Sequence, residues 1–193
     1  MLEGRTPVTR ILLLLSLLAG AAAPTPTPTP AWAKEPSAYR GVAFGTPYAD
    51  FPGRLLLTGC HPSTTDHEPG QRTCESNGFQ ANGVAVEDVL FFQNDLFVGV
   101  SMSFESDDYE KLREVFVTKF GEPTHLETTR LSSRSGARFD NETMGWDGRK
   151  VAVSIERYGE TLEKGSATMF LNSYLEQQEK ERQERLKKDA DSF

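Results

Sequence analysis

The sequence predicts an α+β domain in which an antiparallel sheet of about five strands carries one helix on a face. Two patterns predict this class. Residues 96–104 alternate apolar and polar side chains, as a half-buried strand does. Residues 107–120 repeat apolar side chains every three or four positions, as an amphipathic helix does. Because several strands precede and follow a single helix, a layered α+β arrangement is favoured over a βαβ repeat.

Turn signals delimit the strands. Gln93, Asn94 and Asp95 separate residues 89–92 from the strand at 96–104, and the pair predicts a β-hairpin. Asp147-Gly148 is a second hairpin signal, because this dipeptide accepts the left-handed backbone of a tight turn. The predicted strands are residues 89–92, 96–104, 137–146, 150–157 and 167–171, with a further short strand at 41–44.

Two helices are predicted. Ser106 is placed to cap the first helix, Asp107 and Asp108 suit its positive end, and Gly121 is placed to end it. The second covers residues 173–193, where glutamates precede lysines or arginines by four positions and apolar residues are nearly absent. We interpret this segment as a charged helical tail that leaves the domain.

The beginning of the chain predicts export. Arg5 and Arg10 precede an apolar run at residues 11–18, which is followed by small residues, the order of a signal peptide. The run is too short to span a bilayer, so no permanent membrane anchor is expected. Ala33 ends a small-x-small site, and we predict cleavage after it. The predicted organisation is a signal peptide at 1–33, a Pro-rich tether remainder at 34–38, the α+β domain at 39–172 and the tail at 173–193.

The charge balance limits the classes of partner. The full chain carries a net charge of −7, and removal of residues 1–33 leaves 19 basic and 27 acidic residues. No basic stripe exists to neutralise phosphates, so a nucleic-acid partner is not expected. Any partner is expected to be neutral or cationic, and another protein of the cell envelope fits this description.

Two cysteines flank a polar segment. In an oxidising compartment Cys60 and Cys74 are expected to form an intramolecular disulfide. The same segment holds His61 and His67, so that thiolates and imidazoles could instead bind zinc or copper, although the spacing matches no standard zinc site. Unpaired or intermolecular thiols are the third alternative.

Two further groups of polar residues are candidate sites. Arg130, Arg134 and Arg138 surround a polar loop that could receive an anion or simply be an exposed connection. Trp146 lies beside the acidic residues of the second hairpin, where paired carboxylates could serve glycoside chemistry or bind a cation, or where a solvated hairpin could pack its tryptophan on the core. Those acidic-hairpin positions are Asp140, Asn141, Glu142 and Asp147.

The opening Tyr39-Arg40-Gly41-Val42-Ala43-Phe44-Gly45-Thr46 and the helix end Phe120-Gly121-Glu122-Pro123 resemble a family of small exported bacterial proteins without an assigned activity. The chain is also similar, more distantly, to the layered modules of the outer-membrane assembly lipoprotein and the β-lactamase-inhibitor-like folds. The latter resemblance implies binding of other proteins through the sheet. Neither resemblance implies catalytic residues.

The sequence contains no nucleophile elbow, phosphate-binding glycine loop or other cofactor signature. We therefore predict a non-enzymatic binding or interaction module of the cell envelope that uses no cofactor. A metal-dependent or hydrolytic enzyme built on the cysteine segment or the acidic hairpin is the first alternative. An inhibitor of an exported enzyme is the second.

Overall fold

The computed structural model describes residues 32–63, 70–132 and 136–192. These residues form an α+β fold with a large antiparallel sheet and two α-helices, α1 (Tyr109–Phe120) and α2 (Asn172–Ala190). The strands are β1 (Ala38–Tyr39), β2 (Val42–Ala43), β3 (Thr58–Pro62), β4 (Gln71–Glu75), β5 (Phe79–Ala81), β6 (Val84–Gln93), β7 (Leu96–Glu105), β8 (His125–Ser132), β9 (Arg138–Asp147), β10 (Val151–Glu156) and β11 (Lys164–Leu171).

The large sheet has nine strands in the order β3-β4-β6-β7-β11-β10-β9-β8, with β5 also paired to β6. Strands β1 and β2 form a separate small hairpin. Two antiparallel halves meet at the β7–β11 pair, and each half is followed in the chain by a helix, α1 after β7 and α2 after β11. The predicted class is confirmed, whereas the predicted count of about five strands was wrong.

The missed strands bury too little apolar surface to show a periodic pattern. Strand β8 forms an edge of the sheet, and seven of its eight residues are exposed, including Leu126 at 56 %. Strands β3 to β5 have only three to five residues each. Because alternation between polar and apolar residues reports burial of one face, an exposed edge strand does not produce it.

Helix α1 covers one face of the sheet. Leu112, Phe116 and Phe120 on the helix are buried, and so are Met102 and Phe104 on the facing side of β7. Helix α1 follows a short 3-10 turn, Ser106–Asp108. The predicted cap at Ser106 was wrong, because its hydroxyl donates to the carbonyl of Leu162 at 2.7 Å instead.

The tail helix α2 is anchored only at its first turn. Tyr174 is its one buried residue among those described, and it stacks on Phe170 with ring centroids 5.5 Å apart. Beyond this contact the helix is charged and exposed. Neither helix in the described part of the chain combines the length and the apolar character needed to cross a membrane.

A disulfide joins Cys60 on β3 to Cys74 on β4, as predicted, with the two Cα atoms 4.1 Å apart. We expect the variant with Cys60→Ser and Cys74→Ser to lose about 3 kcal/mol of unfolding free energy, because the bond closes a loop of roughly 15 residues in the unfolded chain. Urea denaturation followed by circular dichroism measures the loss. An unchanged midpoint would show that the bond contributes nothing to stability.

Candidate functional site

The face of the sheet opposite α1 is open. Side chains on this face come from the alternate positions of the central strands, where Ser101 and Ser103 on β7 are half-buried. Ser166 and Thr168 on β11 lie directly opposite these serines. Among the described residues, the beginning of α2 packs on one end of this face, and an accessible groove lies over β6, β7 and β11.

The open face forms the floor of a groove of about 980 Å³. One wall consists of residues 75–80, where the chain passes from β4 to β5, and the opposite wall includes Glu160, Thr161 and Lys164. Val89, Ser101, Ser103 and Ser166 lie on its floor. Pockets of this size are typical of ligand or peptide binding.

Carboxylates dominate the charge of the groove. Glu75, Glu87 and Glu160 line it and are exposed. Ser103 Oγ donates to Glu87 Oε2 at 3.2 Å, which fixes one of these carboxylates over the floor. Lys164 is the cation among the lining residues, and its Nζ donates to Glu105 Oε1 at 2.7 Å. The groove therefore presents a negative surface.

Aromatic side chains close one end of the open face. Phe170 packs edge-on against Phe91, with centroids 5.1 Å apart, and stacks on Tyr174. The Tyr174 hydroxyl accepts a hydrogen bond from Gln71 Nε2 at 2.5 Å. Gly99 lies beneath Phe170, and a Cβ there would come within 2.0 Å of the ring. The strand must therefore have glycine at this position for the ring to lie flat.

A buried polar cluster supports the wall of the groove. Asp88 on β6 is 3 % exposed and accepts hydrogen bonds from Tyr39 Oη at 2.6 Å and Arg40 Nη1 at 3.2 Å. Ser76 Oγ donates to its other oxygen. Arg40 and Gly41 form the β1–β2 turn with positive φ angles of 47° and 77°. The Tyr-Arg-Gly motif thus fastens this hairpin to the sheet.

A second, smaller cavity of about 120 Å³ lies between α1 and the sheet. Its lining is apolar and includes Phe79, Met102 and Phe116, with Lys119 at its border. Partial burial lowers the pKa of the Lys119 ammonium. The cavity is comparable to an engineered apolar cavity that accepts one aromatic ring.

The arginine candidates lie away from the groove. Arg130 and Arg138 lie near the end of the β8–β9 hairpin, where Arg130 pairs with Asp140 across the strands at an Nε–Oδ1 distance of 3.2 Å. Arg138 is opposite Ser132. Arg134 lies outside the described residues.

Trp146 has no exposed surface. Its Nε1 donates to the carbonyl of Gly121 at 2.9 Å, and its ring packs against Phe116 and Phe120. A side chain in this position has no surface to offer a partner, so the structure contradicts the prediction of Trp146 as a binding residue. The interpretation of the second hairpin as one that packs its tryptophan on the core is confirmed.

The acidic hairpin does not form a carboxylate pair. Glu142 accepts hydrogen bonds from Tyr109 Oη at 2.9 Å and Arg113 Nε at 3.0 Å, which connects β9 to α1. Asn141 bonds the backbone of Tyr158. Asp147 is exposed and lies 3.1 Å from Nδ1 of His125. Each of these three residues has a structural contact.

The cysteine segment does not assemble a metal site in the described residues. Both thiols are consumed by the disulfide, His61 is exposed on β3, and His67 lies outside the described residues. No group of three His, Cys, Asp or Glu side chains converges within ranges 32–63, 70–132 and 136–192.

Two buried tyrosines should make the folded protein less stable at alkaline pH. Burial, followed by the hydrogen bonds to Asp88 and Glu142, raises the pKa of Tyr39 and Tyr109 well above 10.0. Above pH 10 the unfolded tyrosines lose protons that the folded ones keep, so the unfolding free energy falls with a slope that approaches about 1.4 kcal/mol per pH unit for each tyrosine as the unfolded phenols ionise fully. Denaturation from pH 8 to 11 measures this slope. Tyr109→Phe removes one of the two titrating groups, so the fall in unfolding free energy with pH should become shallower by the contribution of one tyrosine. An equally steep fall in this variant would mean that Tyr109 does not have a raised pKa.

The comparisons with known proteins yield little. No protein-family model matches the chain, and no curated protein matches it. Among solved structures, a cysteine-rich secretory protein from Staphylococcus aureus subsp. aureus Mu50 is similar, with a TM-score of 0.39 and 11 % identity. The match covers 76 % of this chain and 50 % of that chain, so this chain spans about half the length of that protein. The resemblance to a family of small exported bacterial proteins stays a prediction.

The residues of the groove were not singled out by the sequence. Glu75 and Glu87 lie on different strands, β4 and β6, and become neighbours only through the β4–β6 pairing. The available signal was the row of small hydroxyl residues, Ser101 and Ser103, on the polar side of a strand. A polar strand face by itself predicts only exposure to solvent. It indicates a binding surface only when the width of the sheet and the elements packed on that face are known.

Proposed function

We propose that this chain is an exported binding module that holds a partner polypeptide against the open face of its sheet. The observation that carries the proposal is the groove between residues 75–80 and Lys164, whose floor is the uncovered centre of the sheet. The hydroxyl of Ser101, which lines the groove, can bond the backbone of an extended segment, because it can both donate and accept. The signal-peptide pattern and the disulfide support export.

The partner segment should be cationic. Glu75, Glu87 and Glu160 line the groove, and the positive charge of Lys164 is neutralised by Glu105. The whole chain is also acidic, with a net charge of −7. Lysine or arginine side chains of a partner would therefore find complementary charge along the walls, which favours encounter and fixes orientation.

The direct test uses a synthetic probe. Uniformly ¹⁵N-labelled protein is titrated with a decapeptide of alternating lysine and serine, and a decapeptide of alternating glutamate and serine is the control. We expect amide shift changes at Val89, Ser101, Ser103 and Ser166 with the lysine peptide only. Binding should weaken from 50 to 500 mM salt, because exposed charges are screened.

Charge removal should weaken this binding selectively. Replacing both Glu75 and Glu87 by glutamine should raise the Kd for the lysine peptide about tenfold, which corresponds to roughly 0.7 kcal/mol for each exposed pair. Glu114→Gln on the exposed side of α1 is the matched control and should leave the Kd unchanged. Equal binding of both peptides, or shift changes confined to α1, would refute the proposal.

The enzyme alternative has its own test. A metal-dependent enzyme would retain stoichiometric zinc or copper when purified without chelator, and the disulfide leaves neither cysteine free to bind it. We expect the purified protein to contain no stoichiometric transition metal. Retained metal would favour the metal-dependent enzyme, with His61 and the neighbouring loop as the first place to look for its ligands.

A further inference from the structure

The residues just before the first strand are part of the folded domain. Trp32 Nε1 donates to the carbonyl of Phe120 at 2.8 Å, and its ring packs edge-on against Phe120 with centroids 5.7 Å apart. Lys34 Nζ donates to the carbonyl of Thr118 at 3.1 Å. Both carbonyls lie in the last turn of α1, where helix geometry leaves them without backbone partners and where a cation is favourable.

The same segment also holds the β9–β10 turn. Glu35 Oε1 accepts the backbone N–H groups of Lys150 and Val151 at 2.5 and 2.9 Å. The carboxylate lies over Gly148, where a Cβ would come within 2.3 Å of Oε1. Residues 32–35 therefore form a strap that joins the end of α1 to the turn between two strands.

Cleavage after Ala33 would cut this strap. It would remove Trp32, which would leave the Phe120 carbonyl without its donor and expose one side of the Phe120 ring. It would also convert Lys34 into a chain terminus with a second positive charge. A processing site inside a structural element is unfavourable for the folded product, so the strap argues for an earlier site.

We propose that the signal peptide is removed after Ala21, so that the mature chain begins at Ala22 and retains Trp32. Ala19, Gly20 and Ala21 form a small-x-small site directly after the apolar run at 11–18, and the first mature residue is then alanine and not the unfavourable proline at position 24. The mature protein would carry the Pro-Thr repeat of residues 24–30 ahead of the strap.

The intact mass of the exported protein tests the site. The full chain is expressed in a bacterial host, and the mature protein is purified from outside the cytoplasm and weighed without reduction. The expected mass is that of Ala22 to Phe193 less two hydrogens for the disulfide. A mass beginning at Lys34, at any position other than Ala22, or at Met1 would overturn the proposal.

Two matched substitutions distinguish the sites. Ala21→Leu places a bulky residue at the proposed cleavage position and should abolish the Ala22 start. Ala33→Leu alters an exposed residue and should change the mature mass only by the substitution itself. The opposite pattern would support cleavage after Ala33 and overturn the proposal.

The stability of the mature protein tests the strap independently of processing. Trp32→Ala should lower the Tm by roughly 3–8 °C, because a half-buried ring and its hydrogen bond are lost. Ala33→Ser, at the exposed neighbouring position, should leave the Tm unchanged. An unchanged Tm in Trp32→Ala would show that the strap contributes nothing, which would remove the basis of the proposal even if the peptide-binding test succeeds.

Discussion

Asp88→Ala should destabilise the protein by about 3–5 kcal/mol, the usual loss when one partner of a buried ion pair is removed. The carboxylate is buried and accepts hydrogen bonds from Tyr39, Arg40 and Ser76. Without it, the buried Tyr39 hydroxyl loses its acceptor, and the Arg40 guanidinium loses this ion-pair partner and keeps neutral acceptors such as Ser76 and Asn77. A loss of this size is a large part of the 5–15 kcal/mol typical of a domain.

Urea denaturation of Asp88→Ala and of a matched control measures this effect. Glu87→Gln changes the adjacent residue, whose side chain is exposed in the groove, and should stay within about 0.5 kcal/mol of the parent protein. Amide hydrogen exchange should also show faster exchange in the β1–β2 hairpin of Asp88→Ala, since the cluster fastens that hairpin to β6. A loss below 1 kcal/mol would mean that Asp88 does not hold the hairpin.

The elements that bury one face could be predicted from the sequence. The sequence predicts the hairpin at 89–104 and the first helix at 107–120, and the structure places them at 84–105 and 109–120, so that the first half of β6 was missed. The turn at Asn94 and Asp95 has the positive φ angles, 51° and 58°, that its residue types accept. These elements form the centre of the core. Their buried faces are apolar and their other faces are polar, so the spacing of apolar residues in the sequence reports directly which residues are buried.

The candidate site could not be predicted in the same way. The groove depends on the long-range pairing of β7 with β11, which brings Ser103 opposite Ser166, residues more than sixty positions apart in the chain. It also depends on the face of the sheet opposite α1 being accessible in the part of the chain that the structure describes. No local sequence pattern predicts which face of a sheet remains accessible. The disulfide was predictable because only two cysteines exist, whereas the partners of Asp88 come from two separate segments, the β1–β2 hairpin and the chain after β4.

Trp146→Ala should remove about 3–5 kcal/mol of unfolding free energy, the range observed when a buried large aromatic residue is truncated. The indole is fully buried between β9 and α1, where it contacts Phe116 and Phe120 with centroid distances of 6.0 and 5.8 Å. Truncation leaves a cavity next to Phe116 and Phe120, which already line a small void, and the loss grows with the volume that the neighbours leave unfilled. Far-UV circular dichroism in urea measures the loss without relying on tryptophan emission.

Trp146→Phe separates ring packing from the hydrogen bond. Phenylalanine keeps most of the apolar contact but lacks the N–H that donates to the Gly121 carbonyl at the end of α1. We expect this variant to lose about 1–3 kcal/mol, because a partly buried carbonyl is left without its donor. If Trp146→Phe and Trp146→Ala were equally destabilised, the hydrogen bond to Gly121 would dominate. If Trp146→Ala were nearly neutral, the indole would not be part of the core, and its exclusion from the binding candidates would have to be reversed.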